Sequence, residues 1–147
     1  MKKESLRKDR QKCTWTKAVQ AASLVFTLTL IFHFTLFTRD FGAIRIFKGP
    51  FWELKNQMWH DIVLNILLFI PFGFSCAWIC EWKSILIGAG VSILVESVQY
   101  IGALGYTEVD DVINNTLGAI AGYLIWCIVK YVAKRIEKKF KRKHAGE

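Results

Sequence analysis

The chain has 147 residues, 53% of them hydrophobic and 14% aromatic, with a mean hydropathy of +0.29 and a formal net charge of +8. Its apolar residues lie in long blocks and its charges crowd the two ends, a segregation that excludes an ordinary water-soluble domain. The Lys and Arg residues flank hydrophobic runs, which is how membrane proteins distribute them, and this argues against nucleic acid as a partner.

Residues 1–17 read as a basic, solvated tail. Residues 18–38 are apolar and long enough to cross a hydrocarbon core of about 30 Å, which predicts a first transmembrane helix. The run exceeds the apolar stretch of a cleavable signal, and Leu36-Phe37-Thr38 is not a small-residue cleavage site. Residues 39–61 form the longest connection, mixing Arg39, Arg45, Lys48 and Lys55 with Phe41, Phe47, Phe51, Trp52 and Trp59. After Gly49-Pro50, Phe51, Leu54 and Met58 recur at helical spacing and predict a short helix lying in the interface.

Residues 62–80 make a second transmembrane helix with Asn65 one turn in, and Pro71 predicts a kink over residues 66–69 because proline removes a ladder hydrogen bond. After the short turn Glu81-Trp82-Lys83, residues 84–103 make a third helix and residues 111–129 a fourth. Residues 130–147 are basic again, with Val129, Val132, Ile136 and Phe140 at helical spacing. This predicts an amphipathic extension of the fourth helix along anionic lipid. The domain plan is thus a tail at 1–17, a membrane domain at 18–129 and a second tail at 130–147.

Sixteen of the twenty Lys and Arg lie in the two tails and at Lys83, against four in the connection after the first helix. The positive-inside rule then puts both termini in the cytoplasm, and the fold class is all-α, a bundle of four transmembrane helices. Cys13, Cys76, Cys80 and Cys127 all fall on the cytoplasmic side, where thiols stay reduced. Packing thiols, with no disulfide framework and no metal set, are expected.

Inside the hydrophobic runs, polar groups concentrate at Asn65, at Glu96 and Gln99, and at Asp110, Asp111, Asn114 and Asn115. A central carboxylate costs about 2.5 to 3.5 kcal/mol on insertion scales, so such groups persist where they are paired or used. At about 1.5 Å per helical residue, Glu96 lies about 18 Å above Ser84, in the outer half, with Gln99 one turn further. Asn65 and the Asp-Asp and Asn-Asn pairs reach the same level from helices running the other way. Asp110, Asn114, Gly118 and Gly122 are spaced by four and share a face. The Gly-x-x-x-Gly pattern predicts that this stripe packs closely on another helix, with Pro71 and Gly73 as further packing positions.

Two bland readings compete. The amides can serve only to hydrogen-bond neighbouring helices, at about 0.6 to 2 kcal/mol each. Thr107, Glu108, Asp110 and Asp111 can serve only as a cap for the fourth helix.

The residues 65–73, Asn-Ile-Leu-Leu-Phe-Ile-Pro-Phe-Gly, the Glu96-Ser-Val-Gln99 step, the stretch from Glu108 to Gly118 and the Gly122-Tyr123 pair together resemble VanZ-like integral membrane proteins. The resemblance implies a multi-pass protein of the bacterial plasma membrane linked to the response to teicoplanin, a glycopeptide carrying a lipid. It brings no established reaction with it.

The reading that follows is an outer-leaflet pocket of Asn65, Glu96, Gln99, Asp111 and Asn115, with Asp110 and Asn114 beside it, that recognises an envelope or lipid-linked molecule such as a cell-wall precursor or lipoglycopeptide. The alternative is an intramembrane enzyme on a lipid-linked wall substrate, with Glu96, Asp110 and Asp111 holding a divalent cation or moving a proton and His60 nearby. Against it, the chain has no Ser/His/Asp arrangement, no HExxH and no Gly-rich phosphate loop. No cofactor is expected, the tails are expected to meet anionic lipid, and the oligomeric state stays open. A transport path would require an oligomer, because four helices leave little room for two gates.

Overall fold

The structure is a computed structural model that describes residues 2–37, 42 and 44–144 of the chain. In a bilayer every backbone N–H and C=O must be paired within the protein, so apolar runs close into helices. Four of them are long and apolar enough to cross a membrane, which defines a multi-pass membrane protein. The first, α1, covers Lys2–Phe32 and continues through a π-helical turn at His33–Phe37. A short strand β1 at Ile44–Lys48 and a single turn α2 at Trp52–Lys55 follow. Then come α3 at Trp59–Cys80, α4 at Lys83–Gly102, a strand β2 at Leu104–Glu108 and α5 at Val109–His144.

Three differences from the sequence reading stand out. The basic stretch before residue 18, read as a solvated tail, is helical from Lys2 and continuous with the first span. Lys, Arg and Gln are good helix formers, and a helix already nucleated in the membrane propagates at little cost. The interfacial helix expected over residues 51–58 is one turn long. Residues 44–48 and 104–108, both read as connection, pair as parallel strands, with Ile44 opposite Leu104 and Lys48 opposite Glu108. The expected end of the first helix at Thr38, and Arg39 and Phe41 beyond it, lie outside the described residues. The extension of the fourth helix into the basic tail is present, as one helix of 36 residues.

The centre of the bundle is the α3–α5 pair. A Cβ added at Gly118 would lie 2.3 Å from the Ile66 carbonyl oxygen, and one at Gly122 would lie 2.3 Å from that of Ile70. On the other side of the seam, Gly73 meets the backbone of Ala119 in the same way. The small-residue stripe therefore brings two backbones together, as its spacing predicts. Pro71 lies inside α3 with an exposed ring.

Helix α1 packs on the outside of this pair through Ile31, which joins Phe69, Phe72, Cys76 and Val95 in the buried core. At the end away from the strands, Ser23 and Ser75 share a hydrogen bond of 2.7 Å, and Gln20 Nε2 donates to the Trp78 carbonyl at 3.2 Å. The exterior carries exposed Leu67, Leu86, Ile93, Ile101, Leu124 and Ile128, an apolar surface suited to lipid. Cys76 is buried and Cys80 half-buried; both are free thiols in packed positions.

Candidate functional site

The polar groups gather at the strand end of the bundle, where α3 and α5 begin and α4 ends. Asn65 stands one turn and a half into α3, Glu96 and Gln99 share a face of α4, and Asp111 and Asn115 share a face of α5. With Phe34 and Thr35 of the π-helical turn and Leu64, Leu67 and Leu68 of α3, these five side chains line one cavity of about 470 Å³.

The walls of that cavity are tied together. Asn65 Nδ2 donates to Asp111 Oδ1 at 2.5 Å, joining α3 to α5. Gln99 Nε2 donates to the Thr35 carbonyl at 2.9 Å, joining α4 to the π-helical turn. Asn115 Nδ2 donates to Ser92 Oγ at 2.9 Å, and the Glu108 N–H donates to Glu96 Oε2 at 2.9 Å. Gln99 Oε1 and Asn115 Oδ1 are buried with no hydrogen-bond partner among the described residues. An unpaired buried acceptor costs about 1 to 3 kcal/mol, so each is a place where a donor would be favoured.

Asp110 and Asn114 turn the other way. Asp110 Oδ1 accepts the Phe51 N–H at 2.5 Å and its Oδ2 accepts the Glu53 N–H at 2.9 Å, so an acid of α5 caps the start of α2. The cap holds Phe51 at a φ of +62°, a conformation that costs a bulky residue energy unless its surroundings enforce it. Asn114 Nδ2 donates to Glu53 Oε2 at 2.7 Å. Of the seven polar positions singled out from sequence, five face the cavity and these two fasten α2.

A second chamber of about 320 Å³ lies next to the first and shares Leu64, Asn65 and Asp111 with it. Lys48, Glu53, Asp61, Tyr106 and Glu108 complete its lining with Met58. The β1–β2 register delivers Lys48 to Glu108, and Lys48 Nζ stands 2.7 Å from Glu108 Oε1. The same ammonium lies 3.5 Å from the Trp52 ring centroid and 3.7 Å from that of Tyr106, a cation held between two aromatic faces. Carboxylate oxygens of Glu53, Glu108 and Asp111 lie within 4.8 Å of one another, close enough to hold a cation between them.

Glu53 is buried, and its carboxyl is pushed up to about 7. Desolvation is the first cause, followed by the negative charges of Asp111, Glu108, Asp110 and Asp61. Lys48 and Glu53 were not visible as site residues in the sequence. The one signal for Glu53 is an acid standing between Lys48 and Lys55 in an aromatic-rich connection. Nothing local joins Lys48 to Glu108, which is 60 positions away. His60 is exposed at the surface beside Asp61.

Four membrane-length helices with a hydrophilic chamber under one end define a class: a small polytopic membrane protein that holds buried carboxylates and amides at one level. Within that class, the chain belongs to the VanZ/LLP1 family, whose model matches residues 11–130. It is 24% identical over 125 residues to Protein VanZ of Enterococcus faecium, an alignment covering 75% of this chain and 74% of that protein. No solved structure matches the chain.

Proposed function

We propose that this protein lies in a bacterial plasma membrane with both termini in the cytoplasm, and lowers susceptibility to lipid-bearing glycopeptides of the teicoplanin type. It does so by recognising an envelope or lipid-linked molecule in the cavity beneath its strands. The observation that carries this reading is the arrival of Asn65, Glu96, Gln99, Asp111 and Asn115 at one cavity from three different helices. Carboxylates are costly inside a membrane and are retained where they are used. Membership of the VanZ/LLP1 family and the likeness to Protein VanZ support the link to glycopeptides.

The test is a susceptibility profile, teicoplanin against vancomycin, in a strain with and without the chain. Glu96→Ala and Asp111→Ala are each expected to abolish any protection while membrane levels stay unchanged. Wild-type protection in both variants would overturn the reading.

A second reading, an intramembrane enzyme on a lipid-linked wall substrate, is favoured by the proximity of Glu53, Glu108 and Asp111. The grouping differs from the one expected from sequence. Asp111 joins Glu53 and Glu108, whereas Asp110 is occupied by the backbone of α2. Turnover of lipid-linked wall precursors by the purified chain, lost in Glu53→Gln, would establish it.

A further inference from the structure

We propose that residues 51–57, which carry α2, form a latch over the second chamber that opens as a unit while the four long helices stay folded. The inference rests on reading the chambers as ligand sites and adds how a ligand reaches them from the aqueous side.

The latch is built the opposite way from a packed element. Its buried side chain is the acid Glu53, 2% exposed, which lines the chamber, whereas Phe51 is 57% and Leu54 49% exposed. Lifting it therefore uncovers little apolar surface. What holds it shut is polar and comes from one helix. Asp110 accepts the Phe51 and Glu53 N–H groups, and Asn114, one turn further along α5, donates to the Glu53 carboxyl. Bonds made by neighbouring residues to one short turn break together.

The chain is prepared to bend on both sides of α2. Phe51 and Gln57 bracket it at φ values of +62° and +57°, left-handed conformations that the closed latch imposes on two side chains that disfavour them. Opening lets both relax. Ahead of Phe51 lies Gly49-Pro50, where a Cβ added to the glycine meets nothing within 4 Å, and ahead of that the β1–β2 pairing ties the chain down. Beyond Gln57, α3 starts at Trp59. The moving part thus lies between two anchored elements, a strand and a membrane helix.

Opening changes the chamber as well as the way in. Glu53 leaves it, and Lys48, which stays on β1 beside Glu108 and Tyr106, loses the Trp52 ring. Asn65, which both chambers share, then comes within reach of a water-soluble group.

The test is hydrogen exchange, read by mass spectrometry on the full chain in phosphatidylcholine nanodiscs. The N–H groups of Phe51, Glu53 and residues 55–58 all donate hydrogen bonds, so their exchange reports opening. They are expected to exchange together, at least about a hundredfold faster than those of the α3–α5 seam. Asp110→Ala removes two acceptors and Asn114→Ala removes the donor to Glu53; each is expected to speed latch exchange about tenfold further. Seam exchange and the unfolding temperature are expected to stay as in wild type. Access is read from Asn65→Cys, in a chain whose four own cysteines are replaced by serine, as its rate of reaction with a water-soluble methanethiosulfonate. That rate is expected to rise about tenfold when either latch substitution is added.

Latch exchange no faster than that of the seam would overturn the inference. Faster exchange in the variants with an unchanged thiol rate would overturn it too, because the segment would then move without guarding the chamber. If Glu96→Ala and Asp111→Ala keep wild-type protection from teicoplanin while exchange and labelling behave as described, the latch stands and the proposed link to glycopeptides falls. Protection lost in those variants, with latch and seam exchanging alike, would keep that link and remove the latch.

Discussion

Glu53 shows how much a single side chain at this site depends on its neighbours. It is 2% exposed and surrounded by four other acids, and burial followed by their charges lifts its carboxyl from the ordinary 4.5 to about 7. Between those two values the folded chain holds a proton that the unfolded chain has released. Stability from this group is therefore complete below 4.5 and is lost as the pH rises towards 7. The loss has a ceiling of about 3 kcal/mol. Glu53→Gln keeps an oxygen for Asn114 and cannot ionise. Unfolding midpoints measured against pH in detergent are expected to fall across this window more steeply for wild type than for the variant, which becomes the more stable of the two above pH 7; parallel curves would show that Glu53 does not titrate there. The sequence exposed the polar residues of α4 and α5 because they interrupt apolar runs. The pocket read from it takes Asp111 and Asn115 and sets Asp110 and Asn114 beside them, but nothing in it shows that these last two hold Phe51 and Glu53 at the start of α2. Adjacent positions on one helix differ only by rotation, and the rotation is set by what packs alongside.

Among the elements, the α3–α5 seam was legible from spacing and the strand pair was not. Glycines four apart on α5 announce a close approach, and here the approach is to backbone atoms of α3. A methyl group at Gly122 would lie 2.3 Å from the Ile70 carbonyl oxygen and 2.5 Å from the Phe74 nitrogen, atoms that no rotamer change can move aside. Gly122→Ala is expected to cost about 1 to 3 kcal/mol by pushing the helices apart. Gly90 of α4 is the control, because a Cβ there meets nothing within 4 Å. Gly90→Ala is expected to be neutral or to gain up to about 1 kcal/mol from helix propensity. Unfolding curves of the two variants in the same detergent check both, and an equal response would deny the seam its role. The strands escaped notice because each is five residues long and pairs with a segment beyond two membrane-length helices, α3 and α4, and the short α2. Neither a hairpin turn nor a sustained alternation marks them. They form because backbone polar groups near the membrane surface need partners, and the ladder supplies them.

At the scale of the whole molecule, the strands close one end of the bundle over the polar chambers, while the other end runs out into a helix studded with Lys134, Arg135, Lys138, Lys139, Lys141 and Arg142. The two ends therefore differ in charge as well as in shape. Among the described residues, several acids and one paired lysine line the chamber under the strands, and basic residues dominate the far end. Long lipid-facing helices carry no sign of direction in their apolar residues, so the orientation rests on this asymmetry alone. Under the orientation proposed above, positive charge is retained on the cytoplasmic side, so that the strands and both chambers are expected at the outer surface. Asn56, just past α2, and Glu137, in the basic extension, are exposed and report on the two ends. In a chain whose four cysteines are replaced by serine, Asn56→Cys is expected to react with a membrane-impermeant maleimide on intact cells. Glu137→Cys is expected to react only after the cells are opened. The opposite pattern would turn the molecule over and leave its chambers facing the cytoplasm, out of reach of any molecule acting at the wall.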